Sequence, residues 1–565
     1  MMKNRFLKIV IVSSFLISSR LFAQTDSAPP ELSLFRGGYA DFGLTLNLNS
    51  IGSSLGSGSM GGVMSSRVNN GALNLHMNPA LLADVEQLHV YFDSRLGVGS
   101  NMFNSYTKSF INKINDDIAS SIDTEFSNAD NWNKLPDASI YPTKLRSLDV
   151  GLGKPINSIG FSAPIFPNLV LAASYYYPTQ VNFNLAATGI VTKLGVEQGT
   201  EEVSLRFDVL MNISLIAQAQ LNISTLNAGF GYKLYDGDYG KFLLGATISR
   251  YEAENTRNIN ADLSGVVVVG GADERYFNNP TDPNLNYELG ETNSFYMNAN
   301  GVFRDSGYGY KIGLNYQPSK WTNLSVVYEH VPSFSMSSED AIAEAYLPVF
   351  IDGTGDEILS GDATVALDSL DPSKPNLSTY RDLSKFTSSL NLNLPSSIKV
   401  GLDVGITQKS TFVINYTHYL SELSLQLDDD LYGKDVKHGF GFGFDFAVKD
   451  RFDSWTQIFS IPIRLLFFDI DGVLFQSFRK YTNYSNPRYR FGAQFLFGEG
   501  LYPVKPNETN PNIDDNKDKR DLMGLPLPQA FSMGRQYTIF NHVDVGVTVF
   551  AFPDVGFKYS LAYRF

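Results

Sequence analysis

The chain has 565 residues, 44 Lys and Arg against 58 Asp and Glu, a net charge of -14, and no cysteine. The acidic balance excludes a nucleic-acid binder, which needs clustered positive charge. The missing cysteine excludes disulfides, iron–sulfur clusters, thiolate metal sites, a cysteine nucleophile and acylation of an N-terminal cysteine. Charged residues make up only 18%, while 41 Phe and 30 Tyr bring the aromatics to 13%, a low-charge composition for a soluble protein.

At the amino terminus Lys3, Arg5 and Lys8 precede the apolar run Ile9–Ser19, and Leu21-Phe22-Ala23 precedes Gln24. Basic, apolar and small residues in that order predict a secretory signal, residues 1–23, cut after Ala23. The run is too short for a bilayer, which takes about 20 apolar residues in a helix. Further on, the most apolar stretch, Ser460–Phe475, is interrupted by Arg464, Asp469 and Asp471. The remaining choices are a soluble extracytoplasmic protein or a membrane β-barrel, the other structure that satisfies its backbone inside lipid.

Residues 24–84 precede the first predicted strand. They hold Gly56-Ser57-Gly58-Ser59-Met60-Gly61-Gly62-Val63-Met64 and Asn78-Pro79-Ala80-Leu81-Leu82-Ala83, too apolar for a disordered leader. Glycine permits an irregular path, Pro79 fixes a turn, and Asn78 before it favours extended or turn backbone. Such a segment suits a barrel lumen, with Leu81 and Leu82 as anchors.

From residue 85 onward the apolar period is two. Ile398, Val400, Leu402, Val404 and Ile406 alternate with Lys399, Gly401, Asp403 and Gly405. Phe440, Phe442, Phe444, Phe446 and Val448 alternate with Gly441, Gly443, Asp445 and Ala447. Leu226–Leu234 and Ile312–Tyr316 behave alike. One face is aromatic and aliphatic, which suits lipid; the other is small or charged, which suits a lumen. The chain ends on Val555, Phe557, Tyr559, Leu561, Tyr563 and Phe565 in strict alternation.

The pattern predicts roughly 14 strands, near 85–98, 146–177, 181–213, 216–254, 295–334, 396–426, 438–480, 488–498 and 537–565, several of these ranges holding two strands. Short gaps such as Gln408-Lys409-Ser410 and Ser319-Lys320 read as periplasmic turns. Long gaps near 100–145, 253–292, 336–394 and 499–536 read as extracellular loops. Within the first, Ile111, Ile114, Ile118 and Ile122 predict a short helix at the mouth.

Two stretches carry a family resemblance. The Met-Gly-Gly and Asn-Pro-Ala elements between signal and first strand resemble the amino-terminal hatch of the FadL/TodX outer-membrane transporters. Asn393-Leu394-Pro395 followed by strand, turn and strand through Ser421 is similar to a second unit of that family. Leu81 stands where the family has Gly, and Val68-Asn69-Asn70-Gly71 replaces its acidic pair. The resemblance implies an all-β transmembrane antiparallel barrel in the outer membrane of a Gram-negative cell, its lumen plugged by residues 24–84. It implies a porin-like channel for hydrophobic compounds such as long-chain fatty acids, gated by Gly61, Gly62, Asn78, Pro79, Ala80, Leu81 and Leu82. The alternative is a non-transporting barrel that serves as scaffold or accessory to a protein-secretion complex. Expected partners are outer-membrane lipids, a hydrophobic ligand and the outer-membrane insertion machinery, the last reading Tyr559, Leu561, Tyr563 and Phe565 as its signal.

Other motifs give weaker readings. Phe467–Leu474, with Asp469 and Asp471, matches a phosphatase motif, but its setting predicts a hairpin with an Asp-Gly turn. Asp514, Asn516 and Asp518 have calcium-loop spacing without the required Gly. The six His are scattered. No metal site, cofactor or enzymatic activity is expected.

Overall fold

The computed structural model describes residues 39–48, 55–65, 68, 71–101, 132–134, 139–140, 144–146, 157–199, 204–269, 273–277, 295–338, 340–348, 351–352, 364–365, 378–382, 389–407, 410–427, 430–447, 488–499, 527–540, 542–552 and 554–565. The signal peptide, the helix expected at 106–126, the phosphatase-like motif and the Asp514–Asp518 group lie outside them.

Fourteen strands close into one antiparallel barrel. They are β1 (His89–Asn101), β2 (Ser158–Phe166), β3 (Leu169–Gly199), β4 (Ser204–Gly237) and β5 (Gly240–Val269). Then come β6 (Phe295–Ser319), β7 (Thr322–His330), β8 (Ser397–Thr407), β9 (Ser410–Tyr419) and β10 (Asp430–Ala447). The last are β11 (Arg488–Glu499), β12 (Leu527–Ile539), β13 (Val543–Phe552) and β14 (Asp554–Arg564). Each pairs with its successor, and β14 closes the ring on β1 through Phe92↔Leu561 and its neighbours. Closure removes the exposed edges that an open sheet would leave.

The alternation read from sequence is the alternation of the walls. On β8, Ile398, Val400, Leu402, Val404 and Ile406 all face outward and are exposed, while Ser397 and Asp403 are buried inward. Tyr559, Leu561, Tyr563 and Phe565 likewise project outward from the end of the chain. Outward aromatics gather at two levels, Tyr232, Tyr235, Tyr239 and Tyr316 near one set of turns and Tyr308, Tyr310 and Tyr416 above them. An apolar outer band between aromatic girdles is the signature of a transmembrane barrel. Among the described residues no helix is long and apolar enough to cross a membrane.

Orientation follows from the connections. β2–β3, β4–β5, β6–β7, β8–β9 and β12–β13 are joined by two or three residues at one end, where β1 begins and β14 finishes. Short turns are periplasmic, so the other end is extracellular. The connection 448–487 also starts and finishes at the periplasmic end and lies outside the described residues.

Four strands overshoot the membrane. β3, β4, β5 and β6 contain 31, 34, 30 and 25 residues, against the roughly 9–11 that a tilted strand needs to cross. Their outward rows mark the boundary. On β5, Phe242, Leu244, Ala246 and Ile248 give way to Arg250, Glu252 and Glu254. The extracellular loop expected at 253–292 is therefore corrected: β5 stays paired with β4 out to Val269↔Phe207. The strand range 181–213 covers parts of β3 and β4, and the range 216–254 covers parts of β4 and β5. Above the membrane the outward face turns polar, so the lipid-facing half of the period is lost while the ladder continues. The loops expected at 336–394 and 499–536 also contain ordered strands, among them Ile342–Pro348 paired with β6 and the start of β12 at Leu527.

Inside the overshoot, Phe334, Met336, Leu390 and Leu392 pack against Ile223, Tyr251, Ala253 and Phe303 on the inward wall. This apolar cluster lies on the extracellular side of the lumen.

Because Leu402 sits midway along the outward row of β8, Leu402→Lys is expected to cost about 2–4 kcal/mol, the range for a midplane lysine on a lipid face. The measurement is the urea midpoint of the heat-modifiable band. Thr256→Lys, on the outward face above the apolar band, is expected to leave it unchanged.

Candidate functional site: the lumenal segment and the cavity above it

The segment from Leu55 to Val85 lies in the lumen as three short 3-10 turns, Gly56–Met60, Gly71–Leu75 and Pro79–Asp84. Its apolar side chains are buried. Leu55, Leu73, Leu75 and Leu82 join Tyr91, Val170 and Ala172 of the wall, and Met60, Val63 and Val68 join Val413. All seven residues singled out in this segment are in the lumen. Ala80, Leu81 and Leu82 are buried, as are Asn78 and Pro79.

Each of these residues has a local reason for its place. Gly61 and Gly62 sit at φ 72 and φ 77, left-handed backbone that side chains resist, and the Gly61 N–H donates to Ser532 Oγ at 2.7 Å. Asn78 is extended at φ -141 and ψ 107 and caps the third turn, its Oδ1 accepting from Ala80 N–H at 3.0 Å. Its Nδ2 donates to the Leu314 carbonyl at 3.2 Å, tying the turn to β6. Pro79 occupies the first helical position, where a missing N–H costs nothing. The far end is held by Asp84, which pairs with Lys241 at 2.7 Å and accepts from Gln317 at 3.0 Å.

The wall receives the segment through its inward glycines. A Cβ at Gly245 would overlap the backbone of Pro79, one at Gly313 the Asn78 amide, one at Gly231 the Leu82–Ala83 backbone, and one at Gly492 the Met60 carbonyl. Val63 packs on Gly441 and Gly443 in the same manner. The small residues that read only as a lumen-facing row are the contact surface for this segment.

Beside the segment lies a cavity of about 210 Å³. Gly62, Met64, Leu73, His76 and Met77 line it from the segment, and Tyr176, Lys311, Glu329, Lys399, Asn415 and Tyr419 from the wall. Glu329 bridges two lysines, Lys311 Nζ at 2.8 Å and Lys399 Nζ at 2.6 Å. Lys311 also donates to the His76 carbonyl at 2.7 Å. Thus two ammonium groups face one carboxylate, and one of them holds the segment. The sequence reading missed this triad. Its three lysine and glutamate residues lie on β6, β7 and β8, and only the register Lys311↔Glu329 and Val327↔Lys399 brings them together.

His76 is the histidine of the segment. Its ring lies 3.9 Å from that of Tyr176, and Nε2 is 3.1 Å from Ser174 Oγ. Burial first, and then the Lys311 charge, push its pKa well below the usual 6.5, against a smaller opposing pull from Glu329. Among the described residues no group of three or more His, Asp or Glu is placed to hold a metal ion.

These features define a class: a 14-stranded transmembrane antiparallel barrel of the outer membrane with an amino-terminal segment in its lumen. No protein family matches the chain by sequence, and no curated protein does. Solved structures similar to it include the toluene transporter TbuX of Ralstonia pickettii, at 11% identity over 92% of this chain and 98% of that one, TM-score 0.41. A FadL homologue of Pseudomonas aeruginosa matches at 11% over 94% and 100%, TM-score 0.37. The toluene transporter TodX of Pseudomonas putida matches at 10% over 91% and 96%, TM-score 0.34.

Two outcomes test the packing. Gly313→Val is expected to leave the barrel assembled but dislodge the Asn78 turn, seen as a higher single-channel conductance in planar bilayers. Lowering the pH through the ordinary His range should have a similar, smaller effect. A buried neutral His76 with a depressed pKa destabilises the packed segment as pH falls below about 6.5, because the released segment takes up the proton first. His76→Gln is expected to flatten that dependence.

Proposed function

We propose that this protein transports hydrophobic compounds bearing an anionic head group across the outer membrane, long-chain fatty acids being the class that fits, and that Leu55–Val85 gates the lumen. The observation that carries the reading is the cavity beside the segment, with its surplus ammonium charge from Lys311 and Lys399. Purely apolar ligand sites need only a few polar anchors; this one has a charged end, and it has Met64, Leu73, Met77 and Tyr176 for an adjoining tail. The charged triad narrows the ligand toward an amphiphile. At about 210 Å³ it is smaller than the ~300–1,000 Å³ of ordinary ligand sites. It accommodates a head group and the first methylenes, and a longer tail needs the segment to give way. In the same reading, outward Tyr559, Leu561, Tyr563 and Phe565 serve insertion into the outer membrane.

The overshooting β3–β6 wall supports a second reading, an accessory barrel that offers a partner complex a surface outside the membrane. Binding separates the two. The purified barrel is expected to bind a fluorescent long-chain carboxylate, and Lys399→Ala to weaken it about tenfold to a hundredfold, as loss of a ~1.5–3 kcal/mol charged hydrogen bond implies. The methyl ester should bind wild type and variant alike. Deleting Ser57–Ala83 should leave a heat-modifiable barrel with sharply raised conductance. No carboxylate binding, together with stable co-purification of a second outer-membrane complex, would favour the accessory reading.

A further inference from the structure

β2 finishes its pairing at Ser158↔Tyr176, yet β3 runs on to Gly199. Beyond Tyr176 one edge of β3 would present unpaired N–H and C=O groups. The strand Tyr39–Leu48 occupies that edge. It pairs antiparallel with β3 over ten positions, from Tyr39↔Thr188 to Leu48↔Thr179, while β4 holds the opposite edge over the same stretch. Lys144–Arg146 in turn pairs beside Tyr39–Asp41. Tyr39–Leu48 is therefore a strand of the extracellular wall.

Its direction fixes a topology. β3 climbs from the periplasmic turn at Leu169, so Thr188 stands farther out than Thr179. Leu48 is the inner end of the strand and Tyr39 the outer end. By Leu55 the chain is already in the lumen, packed with Leu82, Tyr91 and Val170. It leaves the lumen past Asp84 and begins β1 at His89, at the periplasmic end.

We propose that the polypeptide enters this barrel from the extracellular side, so that the lumenal segment is tethered at both ends. A ten-residue ladder holds it to the outer wall, and β1 holds it at the periplasmic rim. A plug fixed in this way is not withdrawn to either side. It opens by rearrangement of Leu55–Val85 between fixed ends. This constrains how the proposed gate works, but the topology itself does not depend on what the barrel carries.

The test is a topology map. An epitope inserted between Gly38 and Tyr39 is expected to bind antibody on intact cells, like one inserted after Thr200, whereas one between Gln408 and Lys409 should be silent until the outer membrane is permeabilised. Binding at Tyr39 only after permeabilisation overturns the proposal. A second measurement covers an insertion that blocks assembly. In this cysteine-free chain, the pair Leu44→Cys and Phe183→Cys, opposite one another in register, is expected to form a reductant-sensitive cross-link in the heat-modifiable barrel. Carboxylate binding should be unchanged by it. An assembled barrel that does not cross-link refutes the wall pairing, and a cross-link that abolishes binding refutes the fixed tether. If the uncross-linked barrel binds no carboxylate, the transport reading alone falls, and the epitope and cross-link still decide the topology.

Discussion

Backbone contact between the lumenal segment and the inward glycines is the constraint on which the interior depends. A barrel of 14 strands is too wide for its own side chains to fill. The chain fills it with a length of itself, and that length has to lie close against strands that are themselves hydrogen-bonded on both sides. Gly231, Gly245, Gly313 and Gly492 make room by having no side chain, and on β10 Gly441 and Gly443 receive Val63. Glycine weakens a strand interior, so such a row is tolerated where closure of the barrel already fixes every ladder. The segment supplies the reciprocal adaptation in Gly61 and Gly62, whose left-handed backbone lets the chain double back without a side chain to place.

The outer surface obeys a different rule at each height. Through the membrane, outward residues must be apolar, since lipid solvates no charge. Above it the same strands continue with Arg250, Glu252, Glu254, Thr256 and Asn258 on the same face. Inward, the wall stays packed, because Phe334, Met336, Leu390 and Leu392 cover Ile223, Tyr251 and Phe303. The membrane therefore sets which residues face out, while the lumenal cluster packs on the inward face of the wall above it.

That distinction explains what could be read from the sequence. The barrel, its strand number and the lipid-facing rows of β8 and β14 were legible, because two solvents on two faces imprint a period of two. Asn78, Pro79 and Leu82 lie against Gly313, Gly245 and Gly231 of the wall, and the sequence signal for that segment was its glycine-rich, apolar character ahead of a first strand. The continuation of β5 past Glu254 was not legible, because above the membrane the outward face is polar and the contrast with lipid is gone. Tyr39–Leu48 escaped for another reason: its partner Thr179–Thr188 lies some 140 residues away in the chain, and nothing local specifies the pairing. The Lys311–Glu329–Lys399 triad is the same case, since register across three strands creates it.

The triad also ties the cavity to the segment. Glu329 is the single carboxylate between two lysines, and Lys311 divides its ammonium between Glu329 and the His76 carbonyl. A charge buried this deeply needs its partners, and removing one leaves the others uncompensated. An anion reaching the cavity offers Lys311 and Lys399 a second acceptor and so changes the balance of bonds that Lys311 makes to the segment. His76 adds to the same balance from the segment side, since a proton on its ring would place a third positive charge beside Lys311. Under the proposed function, Lys311 would meet a head group and also holds the segment through the His76 carbonyl, so the geometry requires no separate relay between binding and opening.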